Sequence, residues 1–168
     1  MIVSSAILSG LLLVRVKMTR RFDSPQQLPV TAEWIDEISI DRYRPMLRLL
    51  DQADFRFLRT QPGFTPKMAK KLRTQRCRIF RAYLRNLDND FKRICTALKV
   101  LMAQSKHDRP DLASALVANQ MRFSYGIMIA QVKLVCYRCG LGTVKASGLL
   151  RLFDGMRLEL RTRAARVS

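Results

Sequence analysis

Four groups of residues in this chain have types that could do chemistry, and their spacing removes most of it. Cys136-Tyr-Arg-Cys139 is a C-x-x-C pair, the pattern of a redox dithiol or of half a zinc site. A redox pair of that kind draws on a helix N-terminus, where the dipole stabilises a thiolate. This one falls where a helix should end, so the dipole works against it. Cys77 and Cys95 share one helical face, but their separation along a continuous helix is about 27 Å, too far to join one metal. The expectation is small, core-filling cysteines in a reducing compartment, with no metal site.

His107 is the only histidine. It lies in an expected connection beside Asp108, with no Cys or Ser partner implied and no Glu-x-x-His ligand pattern. Glu33, Asp36 and Glu37 form one carboxylate cluster, and Asp51 with Asp54 another. A general acid–base pair needs burial that helical spacing does not supply. These acids read instead as charge complements to a basic helix. Gly140-x-Gly142 lacks the rest of any phosphate-loop fingerprint. No catalytic residue, cofactor or small-molecule substrate is expected.

The fourth group is the strongest. Lys67, Lys70, Lys71, Arg73, Arg76, Arg78, Arg81 and Arg85 occupy a single stretch of about five helical turns. Residues 65–106 hold twelve Lys/Arg against Asp88 and Asp90, in a chain whose net charge is +18. The spacing scatters the eight around the solvent side of an apolar stripe. Such a set is a solvated face, an anionic-lipid contact or a nucleic-acid contact. Near an anionic membrane each basic residue contributes about 1 kcal/mol, fading within a Debye length. A nucleic-acid face would interleave aromatic residues for stacking, whereas Phe80 and Tyr83 fall with the apolar row.

The elements that carry these groups follow from periodicity. Thr65-Pro66 is a helix start, a capping hydroxyl followed by proline. No Gly or Pro follows until Pro110, and the row 80, 84, 87, 91, 94, 98, 101 steps by four and three, which is one helical face. Asn86-Leu87-Asp88-Asn89-Asp90 is its weak point, because Asn and Asp compete for backbone hydrogen bonds. After a tight connection at Lys106 to Arg109, Asp108 is expected to cap a helix that begins near Pro110 and runs to about Cys139, nearly free of charge from Leu112 to Val132. Apolar on most sides, it is expected at the centre of a bundle. Gly140 stops it, and Thr143 is expected to cap a last helix. Upstream, Thr31 and Asp41 are expected caps, and the 45–60 helix should kink near Asp51–Asp54.

Short connections force antiparallel neighbours. The fold class is therefore all-α: an antiparallel up-and-down helical bundle with long helices, preceded by an apolar, anchor-like N-terminal helix. Met1 to Val14 holds no charge, and Arg15, Lys17, Arg20 and Arg21 follow at once as a cationic collar. Fourteen residues span about 21 Å as helix against about 30 Å of hydrocarbon. The organisation expected is residues 1–21 as apolar segment and collar, 22–40 as linker and short helix, and 41–168 as the basic bundle. The positive charge all lies after the apolar run, which favours an inner-membrane span with the N-terminus outside and the bundle in the cytoplasm. The functional expectation is a membrane-anchored, non-catalytic protein on the cytoplasmic face, with a structural role or an interaction with anionic lipid or a protein partner; the alternative is a soluble helical protein that binds nucleic acid without sequence preference.

Overall fold

The computed structural model describes residues 32–104 and 110–167, which form helices α1 (Ala32–Glu37), α2 (Arg44–Leu49), α3 (Ala53–Arg59), α4 (Pro66–Gln104), α5 (Pro110–Arg138) and α6 (Ser147–Val167). A 3₁₀ turn, Ile40–Tyr43, leads into α2. No strand occurs among the described residues. The apolar segment 1–14, its collar, Thr31, His107 and Asp108 lie outside them.

The long helices pack on one another through the row that the periodicity marks. Phe80, Leu84, Leu87, Phe91, Ile94, Leu98 and Leu101 of α4 are all buried. On α5 the matching row is Leu116, Phe123, Ile127, Ala130, Leu134 and Tyr137. Phe91 and Phe123 stack with ring centroids 3.7 Å apart and planes 7° apart. The Cys77 thiol lies 4.0 Å from the Leu134 carbonyl, and Arg73 reaches Gly140. These pairings run in opposite directions along the two helices. α6 closes the triangle: the Asn119 amide meets the Met156 sulfur at 3.3 Å, and Gly126 lies against Leu149 so closely that a Cβ there would sit 2.6 Å from a leucine methyl.

Helix ends have named causes. The Thr65 hydroxyl accepts from the Met68 amide at 3.3 Å, the cap expected. At the end of α5, Gly140 takes φ +89°. The Leu141 and Gly140 amides donate to the Cys136 and Tyr137 carbonyls, a Schellman closure that needs glycine. The last helix begins at Ser147 rather than after Thr143, because Val144 and Ala146 are drawn into the core before the helix starts. Ser39, not Asp41, caps the 3₁₀ turn, and Asp41 instead pairs with Arg44 at 2.7 Å. The expected kink in the 45–60 helix is a full break at Leu50–Gln52, where the Asp51 carboxylate accepts from the Ala53 amide at 3.0 Å.

α4 runs unbroken through residues 86–90. Its two aspartates do not compete for the backbone because each has another partner. Asp88 binds Lys92 one turn on at 2.7 Å. Asp90, the one buried charged residue among those described, accepts the Tyr43 hydroxyl at 2.5 Å. Arg93 and Arg42 stand 3.4 and 3.9 Å from the same carboxylate. Tyr43 is itself buried, edge-on to Phe153 at 5.6 Å. This polar joint fixes the 3₁₀ turn to α4 and α6. Burial, followed by the Asp90 hydrogen bond and charge, holds the Tyr43 hydroxyl far above its ordinary range.

Tyr43→Phe leaves Asp90 buried with one partner fewer and should cost about 1–3 kcal/mol, read from urea unfolding at pH 7. The sign with pH follows from the raised value. The unfolded chain's tyrosine ionises first, so the contribution is complete below about pH 10 and shrinks above it. A wild-type advantage over Tyr43→Phe that grows above pH 10 would contradict this account.

Candidate functional site

The eight basic residues of α4 do not form one face. Lys67, Lys70, Lys71, Arg78, Arg81 and Arg85 are exposed along its outer side. Lys67, Lys70, Lys71 and Arg78, with Thr74 and Gln75, line an open groove of about 480 Å³. Arg73 and Arg76 turn inward. The Arg76 guanidinium lies 2.7 Å from Asp54, 3.5 Å from the Leu49 carbonyl and 4.9 Å over the Phe55 ring. Arg73 lies 5.3 Å from the same ring. Their register explains the split. Position 76 is four before Phe80 and position 73 four before Cys77, so both continue the buried side of α4. Arg76 and Arg73 thus attach α3 to the bundle.

The contrast is measurable. Arg76→Ala should destabilise by about 1–2 kcal/mol, mostly through lost packing and the contact with Phe55, since Asp54 is largely exposed and its ion pair contributes little. Arg78→Ala should stay within about 0.5 kcal/mol. Equal urea midpoints for the two variants would overturn the division.

The two carboxylate clusters upstream of α4 complement charge on more than one helix. Asp54 meets Arg76 of α4, and Asp36 meets Arg157 and Arg161 of α6 at 3.8 Å. The six outer residues of α4 have no such carboxylate partner among the described residues.

α5 holds the feature that periodicity missed. It was expected at the centre of the bundle, but one side of it faces outward. Val117, Met121, Tyr125, Val132 and Val135 are 52%, 69%, 62%, 52% and 57% exposed, and half-buried Met128 completes the series. Steps of four, four, three, four and three place them on one stripe opposite the core row. From Val117 to Val135 the stripe is about 27 Å long. Cys136 and Cys139 are exposed at its end, which corrects the expectation that they fill the core; Cys77 and Cys95 do fill it, and burial raises both thiols above their ordinary range. The apolar character all round α5 was legible in sequence, but it reads equally as a central helix and as a surface helix with a sticky outer face.

The two stripes lie on helices that pack together. α5 meets α6 through Asn119 and Gly126 and α4 through Leu134 and Gly140. Its outer stripe therefore leans toward α4 and away from α6. On α4, Cys77 faces α5, its thiol against the Leu134 carbonyl, and Arg81 follows one helical turn on along the same side. α4 and α5 thus pack on each other while each carries an outward stripe, cationic on α4 and apolar on α5.

Among the described residues no group of His, Cys, Asp or Glu is placed to hold a metal ion, and no helix is long and apolar enough to cross a membrane. No protein-family model matches the chain, and no curated protein or solved structure matches it either.

Proposed function

We propose that this protein works at an anionic membrane surface, as a non-catalytic lipid- or protein-interaction element. The observation that carries the reading is the pairing of stripes on α4 and α5. An apolar face flanked by Lys and Arg is the composition of a helix that lies in the interfacial plane, its apolar side at the acyl boundary and its cations among the headgroups. Lys67, Lys70, Lys71, Arg78, Arg81 and Arg85 are the proposed headgroup contacts. Arg73 and Arg76 serve the fold that presents them.

The N-terminal segment adds a second attachment in this reading. The uncharged run 1–14 inserts, the collar Arg15, Lys17, Arg20 and Arg21 meets the headgroups, and the bundle lies on the same cytoplasmic side of the inner membrane. An insertion that is short alone becomes stable when a polybasic surface accompanies it.

Fractionation tests the reading. The full chain should stay with membranes through a high-salt wash, and a chain lacking residues 1–21 should be released by salt yet still bind phosphatidylglycerol vesicles. Complete release of the full chain at high salt would refute the anchor. RNA binding stronger than vesicle binding at equal ionic strength would replace the lipid reading with a nucleic-acid one.

A further inference from the structure

Three arginines converge on a second place in the molecule, at the end of the bundle where α3, the first turns of α4 and the end of α5 meet. Arg56, Arg59 and Arg73 line a cavity of about 260 Å³, together with Gln52, Phe55, Tyr137, Gly140 and Gly142. None of the three has a carboxylate partner among the described residues. The nearest acid of α3, Asp54, is taken by Arg76. Arg73 is held by the Phe55 ring on one side and by Gly140 on the other. A Cβ at Gly140 would stand 3.2 Å from its guanidinium, at a φ of +89° that a side chain resists. Gln52 ties the Gly142 carbonyl at 3.3 Å, fixing the loop that forms one wall.

Tyr137 supplies an independent observation. Its ring is buried, 2% exposed, and its hydroxyl finds no hydrogen-bond partner. A buried hydroxyl left unsatisfied is costly and calls for a partner. Its side chain borders the cavity with the three arginines. Burial raises its pKa, so the group keeps its proton and is a donor. The three guanidiniums only donate, and the protonated Tyr137 hydroxyl can donate as well.

We propose that this cavity is a binding site for a dianionic phosphate group, with Arg56, Arg59 and Arg73 as charged donors and Tyr137 as the buried neutral donor. Planar guanidinium forks match tetrahedral oxyanions in pairs of hydrogen bonds. Three cations without an ion-pair partner, outweighing the one Asp51 charge that acts on Tyr137, suit a phosphate monoester better than a singly charged diester. The group belongs to a soluble phosphomonoester or to a lipid headgroup that ends in phosphate. The site is separate from the outer stripe of α4, and its test does not depend on membrane binding.

The test is a titration of the full chain with inorganic phosphate and with glycerol 3-phosphate, against sodium chloride at constant ionic strength. It is followed by calorimetry and by the arginine side-chain NMR signals. Saturable binding at one site is expected, weakened about tenfold by Arg59→Gln or Arg73→Gln, the loss of a charge-assisted contact. Tyr137→Phe should weaken it several-fold, and Arg122→Glu, exposed on α5 and remote from the cavity, should leave it unchanged. Arg59 is exposed, so Arg59→Gln retains the fold even if Arg73→Gln does not. Vesicles carrying phosphatidic acid or phosphatidylglycerol at equal charge separate the sources. A phosphatidic acid preference lost in Arg59→Gln assigns the site to a headgroup; equal vesicle binding with soluble binding intact assigns it to a soluble phosphomonoester. Phosphate effects no greater than those of chloride, or binding unaltered by Arg59→Gln, would overturn the site.

Discussion

Reversing three charges on the outer face of α4, Arg78→Glu with Arg81→Glu and Arg85→Glu, should lower affinity for phosphatidylglycerol vesicles by at least about a hundredfold at physiological salt. Each cation close to an anionic surface contributes about 1 kcal/mol, and a reversal also adds repulsion, so three reversals remove about 3–6 kcal/mol. All three side chains are exposed, and none has a carboxylate partner among the described residues. Helical content and urea midpoint should therefore barely change. The loss should be large at low salt and shrink as salt rises, because the interaction is screened beyond about 8–10 Å. Vesicle co-sedimentation of the chain lacking residues 1–21 gives the cleanest measure, since the apolar segment is then absent. Affinity within threefold of the parent chain would remove this face from the account.

The second large effect concerns the core that presents that face. Phe123→Ala should destabilise by about 3–5 kcal/mol. Phe123 is fully buried and its ring lies flat on Phe91 across the α4–α5 contact. Truncation removes the transferred apolar surface, leaves a cavity and forfeits the stacked pair. Val132→Ala, on the exposed stripe of the same helix, should change stability by no more than about 0.5 kcal/mol. Comparable urea midpoints for the two would mean that the sides of α5 have been assigned the wrong way round.

These two residues also show what the sequence could and could not disclose. The four-and-three row from Phe80 to Leu101 is a single face, and all of it is buried. Extending the same steps backward reaches Arg76 and Arg73, so their inward turn was written in the register; charge alone had grouped them with their solvated neighbours. α5 is the opposite case. Phe123 and Val132 are both apolar, and periodicity cannot rank two apolar sides of one helix. Only the positions of α4 and α6 decide which side is covered. The continuity of α4 draws on Lys92 at Asp88 and, at Asp90, on Tyr43, a partner 47 residues away in sequence. Local competition by aspartate was the correct rule, overridden by a distant hydroxyl. The arginine-lined cavity drew on Arg56 and Arg59 of α3, which carried no recognisable spacing with Arg73 or Tyr137.

The central claim is that the α4–α5 face lies on an anionic membrane with its apolar stripe at the acyl boundary. The most direct measurement uses the full chain with Trp34→Phe and Tyr125→Trp, which moves the single tryptophan onto the stripe. Its fluorescence is read with vesicles of phosphatidylcholine alone and with added phosphatidylglycerol, each containing brominated acyl chains. A blue shift with strong bromine quenching, produced by the anionic vesicles and reversed by Arg78→Glu with Arg81→Glu, is the predicted result. Bound protein whose tryptophan remains unshifted and unquenched, or a blue shift that arises from protein self-association without vesicles, would contradict it.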